Sequence, residues 1–88
     1  MNTELDRLDY FILKLLNKEK CTNYFESITV YEIIRQIKLS RQTVYRRLKK
    51  LQEMGYVEKG CKSIQADTFY ILKKGIDIVE RKGDVTND

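Results

Sequence analysis

The sequence predicts an α+β fold, mostly helical, with a three-helix core, a β-hairpin and a short C-terminal helix. Three observations predict it. Apolar residues recur at three- and four-residue spacing through successive segments ahead of Gly55. Only "KLS" joins the second such segment to the third, which makes the pair a helix-turn-helix. After Gly55 the period changes, and two short runs, "YVEK" and "TFYIL", flank the polar turn "GCKSIQAD".

The first helix is expected from about Glu4 to Lys18. Its apolar face would hold Leu5, Leu8, Phe11, Ile12, Leu15 and Leu16. Thr3, with Asp6 three residues later, fits a capping arrangement. Residues 19 to 27 show no period and read as a loop, with Ser27, Ile28 and Thr29 as a very short strand. The second helix starts after Thr29, where "TVYE" is a capping-box pattern, and it ends near Lys38. Val30, Ile33, Ile34 and Ile37 form its apolar face.

Ser40 suits the N-cap of the third helix, which runs from Arg41 to about Met54. Gly55 stops it, because glycine takes the left-handed conformation of a C-terminal cap without strain. Ile64 and Phe69 are expected to anchor the hairpin. Ile76, Ile78 and Val79 belong to the last, short helix. The domain is expected to span residues 1–82, with a flexible tail at 83–88.

Composition narrows the function. The chain has 88 residues, 34% of them charged and 42% hydrophobic, which fits one soluble domain. No stretch approaches the ~20 apolar residues of a membrane span, and the acidic, polar "MNTELDRLDYF" is not a secretory signal. A cytoplasmic location is the expectation. There is no histidine, which removes the commonest metal ligand and general base. Cys21 and Cys61 show no CxxC spacing and read as reduced thiols without a role. An enzyme, a cofactor, a metal and a small-molecule ligand are therefore not expected.

Charge distribution is more informative than the net charge of +4. Residues 41 to 62 carry seven basic side chains (Arg41, Arg46, Arg47, Lys49, Lys50, Lys59 and Lys62) against Glu53 and Glu58, net +5. The remainder of the chain is close to neutral. On a helical wheel Val44, Leu48 and Leu51 fall within about 60° of one another. Gln42, Arg46, Lys49 and Glu53 lie roughly opposite, with Tyr45 on one shoulder and Thr43 and Lys50 on the other. A helix with an apolar stripe and a separate cationic face suits the major groove of double-stranded DNA.

The residues expected to touch DNA are Ser40, Arg41, Gln42, Thr43, Tyr45, Arg46, Lys49 and Lys50, with Lys59 and Lys62 from the hairpin. Arg, Gln and Thr read base edges, while the lysines and the Ser40 end of the helix suit phosphates. Tyr45 fits base or sugar stacking and core coverage equally well. Arg47, flanking the stripe, suits an intramolecular salt bridge or a phosphate.

The ordered string "ITVYEIIRQIKLSRQTVYRRLKKLQEMGYVEKG", closed by "TFYILKKG", resembles winged helix-turn-helix transcriptional regulators of the broad MarR/PadR/ArsR-like group. The resemblance covers about residues 5 to 82. It implies a recognition helix at residues 40 to 50, a wing at residues 59 to 66, and a homodimer acting on palindromic operators. One departure is "LKKG", which lacks the threonine of the group's "LTxxG" and is one residue shorter. The same residues leave two other roles open: a protein-interaction module of a transcription or replication assembly, and a plasmid or phage replication or partition DNA-binding protein.

Overall fold

The computed structural model describes residues 5–61 and 66–86, the last six by their backbone. Its elements are α1 (Arg7–Lys18), β1 (Ile28–Thr29), α2 (Val30–Ile37), α3 (Arg41–Glu53), β2 (Val57–Lys59), β3 (Thr68–Ile71) and α4 (Lys73–Thr86). The helices pack around one core containing Ile12, Leu13, Leu16, Val30, Ile33, Val44, Leu48 and Leu51. The strands form an antiparallel sheet in the order β1-β3-β2. Strand β3 is central, pairing Ile28 with Phe69 on one side and Val57 with Ile71 on the other.

The N-cap of α1 is Asp6, not Thr3, which with Ile64 lies outside the described residues. The Asp6 carboxylate accepts from Asp9 N–H and the Asp9 carboxylate accepts from Asp6 N–H, each at 3.0 Å. That reciprocal pair satisfies two donors that the first helical turn leaves open. It also fixes the inward stripe as Asp9, Ile12, Leu13 and Leu16. Phe11 was expected on this stripe, but one helical step rotates it outward and it is 61% exposed.

Thr29 caps α2 by accepting from Glu32 N–H. The return half of the box is replaced, since Glu32 turns forward to Arg35 and Gln36. Lys38 takes the left-handed conformation that ends α2. Ser40 then caps α3, accepting from Thr43 N–H at 3.2 Å. At the far end Gly55 sits at φ +85°, with Tyr56 N–H donating to Leu51 O and Gly55 N–H to Gln52 O. Both bonds belong to the Schellman turn, which needs a left-handed residue at that position.

The wing is tied down at its base. A Cβ on Gly60 would lie 2.3 Å from Ser27 Oγ and 2.9 Å from Tyr24 O, so only glycine fits there. Cys61 N–H donates to Tyr24 O, and Ser27 Oγ donates to Thr68 Oγ1. Helix α4 packs on α1 and continues to Thr86, past the boundary expected at residue 82. Gly83 weakens a helix by about 1 kcal/mol but does not by itself end one. Lys74 fastens the start of α4 to the end of α3, donating to Met54 O at 2.7 Å.

One polar cluster sets the rotation of α3. Asp9 is fully buried on α1. Its Oδ2 accepts from Lys50 Nζ at 2.7 Å. Its Oδ1 makes no hydrogen bond and faces the Arg47 guanidinium at 3.6 Å. Arg47 also bonds Asp6. The Asp9 N–H bond, which outweighs the opposing effect of burial, holds the Asp6 carboxyl below its usual range, with smaller help from the Arg47 hydrogen bond and charge.

Removing one partner of a buried pair costs roughly 3–5 kcal/mol. Lys50 and Arg47 keep 35% and 29% of their side-chain exposure, so both can rehydrate. Asp9→Ala is expected to lower the unfolding free energy by about 2 kcal/mol, read as a shifted urea midpoint at unchanged slope. A change under about 0.5 kcal/mol, the size of a typical surface substitution, would show that the cluster does not hold α3.

Candidate nucleic-acid interface

The stripe Val44, Leu48 and Leu51 is fully buried and docks α3 on the core. Residues 47 and 50 fall about 60° and 120° to one side of Val44, where α1 lies. Residues 41, 45, 49 and 52 fall on the other side, toward α2 and the wing. Gln42 and Arg46 face outward. The cationic surface of α3 is thus divided in two by the core stripe.

The α1 half is already occupied. Lys50, expected among the DNA contacts, is drawn onto the buried Asp9. Arg47 makes the intramolecular ion pairs that the sequence left open against a phosphate contact. The other half differs. Arg41, Arg46 and Lys49 have no carboxylate within ion-pair distance among the described residues, and all three are exposed. Gln42 is exposed beside them. Ser40 and Thr43 bond one another at the helix start, Ser40 Oγ donating to Thr43 Oγ1 at 2.9 Å.

Tyr45 covers the core edge while its hydroxyl donates to Asp67 Oδ2 at 3.2 Å. Burial and the Asp67 charge push its phenol up from the ordinary value, which keeps the hydroxyl protonated as a donor. Lys59 Nζ, at the end of β2, lies 3.9 Å from the same Asp67 oxygen. A shallow cavity of about 170 Å³ opens between α3 and the sheet, lined by Tyr45, Lys49, Gln52, Lys59 and Phe69. The structure therefore brings Lys59 alongside Lys49. Lys62, the other wing lysine expected at the interface, lies outside the described residues.

Three participants were not anticipated. Asp9 anchors Lys50, and a carboxylate in register with Ile12, Leu13 and Leu16 was the signal for it. Asp67 joins α3 to the wing, for which the sequence offers no local pattern. Tyr31 on α2 is half exposed, with the Arg41 guanidinium 5.7 Å from its ring centre.

Comparison with known proteins bears on the family and the fold. A DNA-binding protein, TubR, of a Clostridium botulinum C phage is 38% identical over 73 residues, covering 83% of this chain and 90% of its own length. The solution structure of a DNA-binding TubR fragment from Clostridium botulinum superposes with a TM-score of 0.72 at 36% identity, over 89% of this chain and 96% of that one. An uncharacterised HTH-type transcriptional regulator of Pyrococcus horikoshii is 46% identical over 59 residues, 67% of this chain but 33% of the regulator. The chain thus spans most of the phage protein and a third of the archaeal one. Among the described residues no helix is long and apolar enough to cross a membrane. Residues 5–58 match the family described as winged helix-turn-helix DNA-binding, and the chain belongs to it.

Proposed function

We propose that the protein binds double-stranded DNA sequence-specifically, with α3 in the major groove and the wing on the flanking backbone or minor groove. The observation that carries this reading is the division of charge on α3. Arg47 and Lys50 are neutralised by α1, whereas Arg41, Arg46 and Lys49 stand exposed without carboxylate partners among the described residues. Ser40, Gln42, Thr43 and Lys59 complete the surface, and Lys62, outside the described residues, is expected from the sequence to join it. Lys50 is withdrawn from the contact set and acts as a structural cation. A B-form major groove accepts one helix, and Arg and Gln carry the donors and acceptors that read its base edges.

The role fits transcription regulation, the function named for the archaeal relative. A replication or partition role on a mobile element has specific support of its own, because the relative matched over nearly its full length is a phage DNA-binding protein. The contact chemistry is the same in both. A protein-docking role is disfavoured by the basic α3, which in docking domains is more often neutral or acidic. A cytoplasmic location is part of the same proposal.

We also propose a homodimer, as the family resemblance implies. Phe11 on α1 and Phe25 in the loop before β1, at 61% and 80% exposure, offer apolar surface. Sedimentation equilibrium of the free protein should report a dimer. A monomer at every concentration, with or without DNA, contradicts it.

The division of charge is tested by a matched pair of variants on a random-sequence duplex across a salt series. The logarithm of affinity falls with slope about −0.9 per phosphate neutralised. Lys49→Gln should make that slope shallower by about one phosphate and leave stability unchanged. Lys50→Gln should leave the slope as it is and lower the unfolding free energy by about 3 kcal/mol, because it leaves the buried Asp9 carboxylate short of a cation. A shallower slope in Lys50→Gln would return Lys50 to the interface, and an unaltered slope in Lys49→Gln would remove Lys49 from it.

A further inference from the structure

Arg41 differs from the other free cations of α3. Its guanidinium carbon lies 5.7 Å from the ring centre of Tyr31 on α2 and 5.8 Å from that of Tyr45 on α3. Both distances fall within the range of cation–π attraction, which is strongest for a cation over the ring face. Arg46 and Lys49 have no such ring contact among the described residues. The two rings are themselves placed from different elements. Tyr45 is fixed through its hydroxyl on Asp67, and Asp67 in turn accepts the Val30 N–H of α2 through its backbone carbonyl at 3.0 Å. A continuous set of contacts thus runs from α2 through Arg41 and Tyr45 to the root of the wing.

A long, flexible side chain loses rotamer freedom when it binds, and fixing it beforehand reduces that loss. A phosphate contact gains little from such fixing, since a mobile cation can follow the backbone. A base contact gains more, because the planar fork of arginine must meet two acceptors in one orientation. Arg41 is the first residue of α3, at the end that enters the groove. Its N–H donors are not taken by any carboxylate among the described residues.

We propose that Arg41 is the principal specificity-determining residue, reading the O6 and N7 acceptors of a guanine, and that Tyr31 and Tyr45 are positioning residues that aim it. This inference rests on the DNA-binding face argued above. It adds Tyr31 and Asp67 to the machinery of recognition without making either a contact to DNA. It also assigns the uncharged part of the surface a purpose: Tyr45 serves the interface by orienting Arg41 rather than by stacking on a base.

The test is selection from a random duplex library with the wild-type protein, Arg41→Lys and Tyr31→Leu, followed by anisotropy titrations on the wild-type motif and on each single-base change. Tyr31 and Arg41 are exposed, and unchanged melting temperatures verify that both variants fold. The wild-type motif should contain one G·C pair whose replacement costs roughly five- to a hundredfold in affinity. Arg41→Lys keeps the charge and should lose that preference while the salt slope on random duplex stays the same. Tyr31→Leu should weaken the preference at the same pair and at no other, again at constant slope.

A motif unaltered by Arg41→Lys overturns the assignment of Arg41 while leaving the DNA-binding face intact. A salt slope that becomes shallower in Tyr31→Leu, with the motif unaltered, overturns the positioning role. Absence of wild-type binding to any duplex at low salt overturns the face itself, and this inference with it.

Discussion

Asp9 is a carboxylate with no exposure to solvent, and the cations that compensate it come from α3 rather than from its own helix. A bare buried charge is costly, so α1 and α3 are held in the one rotation that brings Lys50 and Arg47 to it. That rotation decides everything on the opposite side. It turns Val44, Leu48 and Leu51 into the core and leaves Gln42, Arg46 and Lys49 outward. The capping box links this interaction to the start of α1, because the Asp6 and Asp9 carboxylates serve both the backbone and α3. Ion pairs on an open surface contribute little, typically under about 1 kcal/mol. This one constrains the fold because one of its members is fully buried.

The wing is governed by a second, weaker set of constraints. Gly60 permits the close approach of the 24–27 loop, and the Ser27–Thr68 bond fixes the sheet beside it. Asp67 then connects that sheet to α3 through Tyr45 and to α2 through its carbonyl. Helix and wing are consequently positioned relative to each other both by the shared core, to which the hairpin gives Val57, Phe69 and Ile71, and by short polar contacts beside a shallow cavity. For a protein that must place two elements on one duplex, this gives a defined spacing.

Much of the architecture was legible because its signals are local. Thr29, Ser40 and Gly55 mark helix ends through bonds to residues within a few positions, and the spacing of Val44, Leu48 and Leu51 gives the inner face of α3 directly. The pairing of β1 with β3 was not legible, since two residues carry no period. Phe11 was misplaced because apolar character alone does not distinguish it from Leu13, one helical step from the true stripe. Thr3 looked like a cap until the Asp6 and Asp9 pair proved a reciprocal one. The hardest feature was the direction of Lys50. On a wheel it sits on a shoulder of the cationic face, and only the tertiary position of Asp9, 41 residues away, draws it inward. Charge runs show how much positive potential a helix carries; which of those charges remain free is a property of the folded chain.

On the proposed reading, DNA meets the α2 and wing side of α3 and leaves the α1 side untouched. The most direct measurement is an NMR titration of isotope-labelled protein with a short duplex at low salt, followed through backbone amide shifts. Shifts should concentrate at Ser40 to Arg46, Lys49 and Lys59, while the amides of Asp6, Asp9, Phe11 and Ile37 stay in place. Shifts concentrated on α1, with the start of α3 unmoved, would contradict that reading.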